Sequence, residues 1–316
     1  MLVTGGTGSF GRRFIKTILD KHAPRRVVVF SRDELKQYEF RQEIGDDPRV
    51  RFFIGDVRDR ERLSRAFDGV DIAVHAAALK QVPAAEYNPF EAIKTNVNGA
   101  QNVIDAAVDR EVERVIALST DKASSPINLY GATKLVSDKL FVAANAYAGA
   151  HQTRFSVVRY GNVIGSRGSV VPYFQRLAPT GVIPITDERM TRFWITLDQG
   201  VEFVIRMIAA MRGGELFVPR IPSMRLIDLA LAVAPSARIE IVGIRPGEKL
   251  HEEMIGVDDA RRTRDAGDFF VMQPDVEWWS ATAWEHAPMV PAGFRYTSDA
   301  NTDWLTVADL RRLLDA

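Results

Sequence analysis

The chain opens on a short apolar run, Leu2-Val3-Thr4, that breaks into Gly5-Gly6-Thr7-Gly8-Ser9-Phe10-Gly11, and Arg12 to Leu19 then carries apolar residues at helical spacing. A strand, a glycine turn and a helix in this order restrict the possible folds more than any other stretch. Glycines permit the tight turn, let backbone amides approach a diphosphate, and allow close helix packing with the helix N-terminus facing the negative charge. Gly6, Gly8 and Gly11 have the spacing of a dinucleotide-binding turn; Gly5, Gly8 and Gly11 have that of a variant with two residues in each gap. A glycine triplet alone is a weak signal, and its place after the first strand is what gives it weight. Gly5, Thr7, Gly8, Ser9, Phe10 and Gly11 are the expected contacts. The first strand is short, and a few residues are expected upstream of it.

Strands and helices alternate from there. Strands are expected at 26–30, 50–54, 71–74, 115–118 and 155–159, with helices between them. This pattern implies right-handed βαβ crossovers and a doubly wound parallel sheet, an α/β Rossmann fold. Ligands of such sheets lie beyond the carboxyl ends of the strands. The second strand ends at Ser31-Arg32-Asp33-Glu34-Leu35-Lys36, where an adenosine ribose is expected. Arg32 and Lys36 there would hold a 2′-phosphate and argue for NADP, whereas Asp33 and Glu34 are either ribose acids or the first-turn acids of the next helix. Asp56-Val57 follows the third strand and Ala76-Ala77-Ala78 the fourth. Small residues there leave room for a flat cofactor, or simply for close helix packing.

The densest chemistry lies in Ser119-Thr120-Asp121-Lys122 and Tyr130-Gly131-Ala132-Thr133-Lys134. The first group ends a buried strand, and the second puts Tyr130 and Lys134 one helical turn apart. An ammonium beside a phenol favours the phenolate, so a group with an ordinary pKa of about 10 can act nearer neutrality. An ordinary surface pair would share this spacing, so the pair gains meaning only from its neighbours.

Composition removes other classes. In 316 residues, 41 basic and 41 acidic side chains cancel, which gives no reason to expect nucleic acid or an anionic membrane as partner. Without cysteine, neither a disulfide framework nor a thiol nucleophile is possible, and five scattered histidines do not suggest a metal site. No apolar run approaches the ~20 residues of a membrane span, and the glycine turn leaves no room for a signal peptide, so a cytoplasmic protein is expected. The dinucleotide-binding domain is expected over 1–161, with 193–220 returning to it. Residues 162–192 and 221–316 form a smaller, interleaved substrate-binding portion. Trp278, Trp279 and Trp284 give no readable motif.

Together the glycine turn, Asp56-Val57, the Tyr130/Lys134 pair and Asn162 resemble the extended short-chain dehydrogenase/reductase family. Ser-Arg-Asp-Glu-Leu-Lys at 31–36, Ser-Thr-Asp-Lys at 119–122, Arg-Tyr-Gly-Asn-Val at 159–163 and Arg-Pro-Gly-Glu-Lys-Leu-His-Glu at 245–252 are similar to one branch, the inverting UDP-N-acetylglucosamine 4,6-dehydratases. The resemblance runs to about residue 255. It implies NADP, a UDP-sugar, a keto-sugar product on the way to pseudaminic acid, and a homo-oligomer, dimer or hexamer. In this reading Tyr130 removes the O4 proton, Lys134 lowers its pKa and holds the ribose, and Thr120 orients the sugar. Lys122, if neutral, takes the C5 proton, and Asp121, if protonated, donates to the departing O6; burial is expected to shift both in those directions. An ion pair capping a loop is the plainer alternative. Lys80, Asn162, Gly168, Ser169, Val170 and the arginines Arg167, Arg192 and Arg245 are expected on the substrate, with Glu248 on the uridine ribose and Val163 on the cofactor. Each arginine could equally be a surface ion-pair residue. A UDP-hexose 4-epimerase, which needs no elimination acid or base, and a non-catalytic NADP-sensing protein are the competing readings.

Overall fold

A computed structural model describes residues 1–148, 152–166, 168–276, 279 and 284–315. Its first half alternates as expected: β1 (Leu2–Thr4), α1 (Ser9–Lys21), β2 (Val27–Ser31), α2 (Glu34–Ile44), β3 (Val50–Ile54), α3 (Arg60–Ala66) and β4 (Ile72–His75). Two short helices follow, α4 (Val82–Tyr87) and α5 (Pro89–Ile93); a π-helical turn, Lys94–Asn98, leads into α6 (Gly99–Asp109). Then come β5 (Arg114–Thr120), a 3₁₀ turn at Asp121–Ala123, α7 (Leu129–Tyr147) and β6 (Arg154–Tyr160).

The second half is more broken. It holds β7 (Asn162–Val163), α8 (Val170–Leu177), β8 (Val182–Ile185), β9 (Thr191–Ile195), α9 (Leu197–Ala210), β10 (Leu216–Pro219) and β11 (Ser223–Arg225). After these come α10 (Leu226–Val233), β12 (Arg238–Ile241), β13 (Glu253–Ile255), β14 (Thr263–Asp265), β15 (Phe269–Met272), β16 (Tyr296–Thr297) and α11 (Val307–Asp315).

A nine-stranded sheet in the order β14-β15-β10-β6-β5-β4-β1-β2-β3 organises the molecule. From β3 to β10 every neighbour is parallel. Strands β2 and β5 are apolar on both faces, as a sheet covered by helices on both sides requires. The order reverses between β1 and β4, and a crevice opens there at the carboxyl ends.

Two features differ from the expected partition. Residues 263–272 fall within the stretch assigned to substrate binding, yet they close the sheet's edge, β15 pairing antiparallel with β10 and β14 antiparallel with β15. The run Phe269-Phe270-Val271-Met272 is buried throughout, and pairing with the open edge of β10 satisfies its backbone. Conversely, β9 leaves the large sheet and pairs with β7 and β11. A second core of Val171, Phe174, Ile183, Trp194, Leu229 and Leu310 lies beneath that small sheet. Among the described residues no helix is long and apolar enough to cross a membrane, and no side-chain cluster could hold a metal ion.

Candidate active site

A cleft of about 630 Å³ runs along the carboxyl ends of the parallel strands. Its floor is the glycine turn. Gly5 has a positive φ of 66°, and a Cβ there would meet the Ala77 nitrogen at 2.9 Å; one on Gly11 would meet the Gly5 carbonyl oxygen at 2.6 Å. The turn is therefore folded hard against both the end of β4 and the start of α1, leaving the tight cradle into which a diphosphate fits. Thr7, Gly8, Ser9 and Phe10 line the same floor. Arg12 holds the turn from behind, donating from Nε to the Thr7 carbonyl at 3.2 Å.

Ser31, Arg32, Asp33, Lys36, Asp56 and Val57 line one end of the cleft. Asp33 caps α2, accepting from the Lys36 amide at 3.0 Å, and pairs with the Lys36 ammonium at 2.5 Å. Of its two possible roles it thus performs the helix-terminal one. Asp56 accepts from Arg58 Nη2 at 2.8 Å and lies 3.5 Å from Arg32 Nη1. Burial acts to raise the Asp56 carboxyl, but the arginines beside it prevail and hold it below its usual range. Ala76, Ala77 and Ala78 form the wall between this end and the catalytic end. Cleft wall and close packing are both true of them.

At the other end Thr120, Lys122, Tyr130 and Lys134 face the cleft, together with Ser119 of the same stretch and with Tyr160 and Thr95, to which sequence reasoning gave no role. Asn128 caps α7 by accepting from the Gly131 amide at 2.8 Å. A Cβ on Gly131 would lie only 2.1 Å from the Lys122 carbonyl oxygen, so α7 rests directly on the 3₁₀ turn. Contact at this point brings the Tyr/Lys helix and the Asp/Lys turn together. Behind Tyr130, buried Asn96 in the π-helical turn grips the Leu79 backbone on both sides at 2.8 and 2.9 Å and donates to Thr133 Oγ1 at 3.0 Å. Such turns often mark functional sites.

The electrostatics depart from expectation. Burial lifts the Tyr130 phenol to about 12, and the Lys122 charge and a hydrogen bond from Thr120 oppose it. Lys134 is itself pushed down by burial, with Asp138 partly opposing. Asp121 is fully buried, and burial raises its carboxyl despite Lys122. For Lys122, burial acts to lower the ammonium, but the carboxylates of Asp121 and Glu252 outweigh it and raise it. The expected downward shift of Lys122 is therefore reversed. Its Nζ lies 3.0 Å from Asp121 Oδ1 and 3.1 Å from Glu252 Oε1.

The expected substrate residues separate into two groups. Lys80, Asn162, Gly168, Ser169 and Val170 line the cleft, joined by Gln81 and Ser166; Val163, expected on the cofactor, lines it too. Arg192 does not: its guanidinium donates to the carbonyls of Thr191, Leu250 and Lys249 at 2.6, 3.1 and 3.0 Å, fastening the 249–250 segment to β9. Arg245 and Glu248 lie 3.8 Å apart on the turn outside the cleft lining. Arg167 lies outside the described residues. Glu252 was present in a recognisable motif, but its partner Lys122 is distant in sequence and no spacing rule links them.

A family model described as polysaccharide biosynthesis protein matches residues 1–274. The chain belongs to this family. It is 53% identical to the UDP-N-acetylglucosamine 4,6-dehydratase (inverting) of Campylobacter jejuni subsp. jejuni serotype O:2, over 100% of this chain and 97% of that one. Among solved structures, Pen from Bacillus thuringiensis superposes with a TM-score of 0.91 at 37% identity, covering 99% of this chain and 96% of the other. DesIV, a dTDP-glucose 4,6-dehydratase from Streptomyces venezuelae with NAD and TYD bound, superposes with a TM-score of 0.73 at 26% identity, covering 88% and 92%. This membership and the site geometry agree on an extended short-chain dehydrogenase/reductase fold.

Proposed function

We propose that this family member is a UDP-N-acetylglucosamine 4,6-dehydratase that inverts C5 and uses NADP. The observation that carries the reading is the acid and base group of Asp121, Lys122 and Glu252 set against Thr120 and Tyr130 at the end of a dinucleotide-sized cleft. An epimerase of this fold needs the Tyr130 oxidation alone, and two buried carboxyl groups around a partly exposed lysine beside it would have no task in it. NADP is preferred because Arg32 and Lys36 line the ribose end while Asp33 is occupied as a helix cap.

When bound, the dinucleotide would supply a reversible hydride acceptor that takes the C4 hydride and gives it back at C6 after water has left, so that it ends as it began. Tyr130 removes the O4 proton, helped by the Thr120 hydroxyl and the nearby Lys122 charge. Lys134 holds the ribose. Lys80, Asn162 and the 168–170 backbone hold the sugar diphosphate in the adjoining part of the cleft. Once C4 is a ketone, the C5 proton is acidified. Lys122 reaches its amine form by passing a proton to Asp121 Oδ1, 3.0 Å away, which leaves a neutral base and a neutral acid with no change in net charge. Low dielectric favours that neutral pair. Lys122 then takes the C5 proton, Asp121 protonates O6, the C6–O6 bond breaks, and water leaves. C5 later regains a proton from solvent with inverted configuration. A homo-oligomer in the cytoplasm, supplying a keto sugar for pseudaminic acid synthesis, completes the proposal.

Incubation with UDP-N-acetylglucosamine and NADP should give a product lighter by one water by mass spectrometry, with no net NADPH. In deuterium oxide, NMR should place deuterium at C5. An unchanged mass with a C4-epimerised sugar would overturn the reading in favour of an epimerase.

A further inference from the structure

Lys122 is held between two carboxyl groups of different origin. Asp121 is its chain neighbour, whereas Glu252 comes from the segment just before β13, on the other side of the site. Both carboxyl groups are at least 98% buried, and each keeps one oxygen, Asp121 Oδ2 and Glu252 Oε2, without a hydrogen-bond partner among the described residues. Two buried carboxylates around one ammonium carry a net negative charge, and like charges so placed do not both ionise readily. Resting on the dehydratase reading, we propose that Glu252 is a positioning residue for the elimination: its fixed charge anchors Lys122 at the cleft and, because Glu252 stays ionised, leaves Asp121 as the carboxyl group that takes the proton Lys122 gives up, making Asp121 the acid.

The surroundings support this division of charge. Glu252 also faces Arg192, 3.8 Å away, and Lys249, two cations that stabilise its ionised form. Burial acts to raise the Glu252 carboxyl, yet Lys122, Arg192 and Lys249 together hold it low. Asp121 has no comparable set of cations; Lys122 is the one that opposes its burial, and Glu252 itself pushes it further up. Lys122 additionally faces Arg192 and, across the cleft, Lys80 and Tyr130. Of the two carboxyl groups, the proton therefore goes to Asp121. Neither carboxyl group lines the cleft, but Asp121 is joined to the cleft-lining Thr120 hydroxyl at 2.9 Å, whereas among the described residues Glu252 bonds to the cleft only through Lys122.

Glu252→Gln keeps size and an acceptor oxygen for Lys122 but removes the charge. Without that charge Lys122 loses its proton more easily and Asp121 ionises more easily. Both limbs of the pH profile for water loss should move to lower pH by about 1 unit, with a rate about tenfold or more below wild type at neutral pH. A residue that merely filled space would lower the rate without moving the limbs. Glu252→Asp, which keeps the charge, should retain the wild-type limbs at a reduced rate. Titration of the Lys122 side chain by NMR, assigned with Lys122→Arg, gives a reading that needs no substrate: its midpoint should fall in Glu252→Gln. An unmoved Lys122 midpoint overturns the proposal even if the variant is slow. Failure of the wild-type protein to release water would instead overturn the dehydratase reading, and the Lys122 titration would still decide what Glu252 does to its neighbour.

Discussion

His75 ends β4 with 1% of its surface exposed, its Nδ1 2.8 Å from Thr4 Oγ1 and its ring 5.5 Å from that of Phe141. Burial, reinforced by the nearby Lys134 charge, depresses its pKa to about 3. The folded state therefore holds the neutral ring, while the unfolded chain takes up a proton below its ordinary value of about 6.5. The stability this contributes is complete above about pH 6.5 and is lost as pH falls toward 3. Between pH 7 and pH 5 the loss should be about 2 kcal/mol. Urea midpoints of wild type and His75→Gln, compared across that window, check it: the variant should show a flatter acid limb, and parallel curves would mean His75 is not the group responsible. Legibility was uneven at this scale. Tyr130 and Lys134 were readable because one helical turn is a local rule, and the glycines because a turn has few chemical solutions. The ionisation of Lys122 was misread because burial was judged without Glu252, whose nearness is a product of tertiary structure. Arg192 was misread for a similar reason, since a sequence does not show that three backbone carbonyls lie waiting for its guanidinium.

The contact between α7 and the 3₁₀ turn fixes the site's geometry at the level of elements. Gly131 is the third residue after the Asn128 cap, and its backbone lies where any side chain would strike the Lys122 carbonyl at 2.1 Å. Two effects of Gly131→Ala compete. Alanine in a helix is favoured over glycine by about 1 kcal/mol, but a rigid backbone atom at that distance cannot yield, and overpacking of this kind costs about 1–3 kcal/mol or more. The clash should win. A lower urea midpoint is expected, with loss of turnover as Tyr130 is carried away from Thr120; a variant more stable than wild type would show that the helix does not rest on the turn. Most parallel strands were readable as apolar runs because burial on both faces leaves a simple signature. Strands β14 and β15 were not. Phe269–Met272 is recognisably a strand, but nothing local says that it pairs antiparallel with β10. The tryptophans without a motif also have structural work here. Trp284 Nε1 donates to the buried Glu215 carboxylate at 3.1 Å and its ring packs edge-on against Phe217 and Phe269, while Trp279 Nε1 donates to the Gly213 carbonyl at 2.7 Å. Trp278 lies outside the described residues.

Across the whole molecule, the site is made where one segment of the second half is fastened onto the end of the parallel sheet. Residues 247–254 meet the catalytic loop at several points. Asn128 donates to the Gly247 carbonyl at 2.8 Å, Lys249 Nζ to the Ser124 carbonyl at 2.5 Å, and Arg159 Nη1 to the Met254 carbonyl at 2.9 Å. Glu253 accepts from Ser124 Oγ at 3.1 Å and Ser125 Oγ at 2.7 Å, and its other oxygen accepts from Arg295 at 3.1 Å. Ser125 has a positive φ of 42°, a strained conformation for a residue with a side chain, and the Glu253 bond helps hold it. The contacts of Ser124, Ser125 and Asn128 all tie the same two segments, so they should open together rather than one at a time. Removing the Glu253 carboxylate leaves two hydroxyls and an arginine without their acceptor, and each lost bond of this kind is worth about 1 kcal/mol. In Glu253→Ala, amide hydrogen exchange should therefore quicken about tenfold or more over both 120–128 and 247–250, while β1 and β2 in the sheet interior keep wild-type protection. Exchange mass spectrometry separates these peptides. Faster exchange confined to the immediate neighbours of residue 253 would mean that the two segments are independently stable; joint opening would mean that Lys122 and Glu252 can lose their pairing through the loss of a side chain that bonds to Ser124, Ser125 and Arg295.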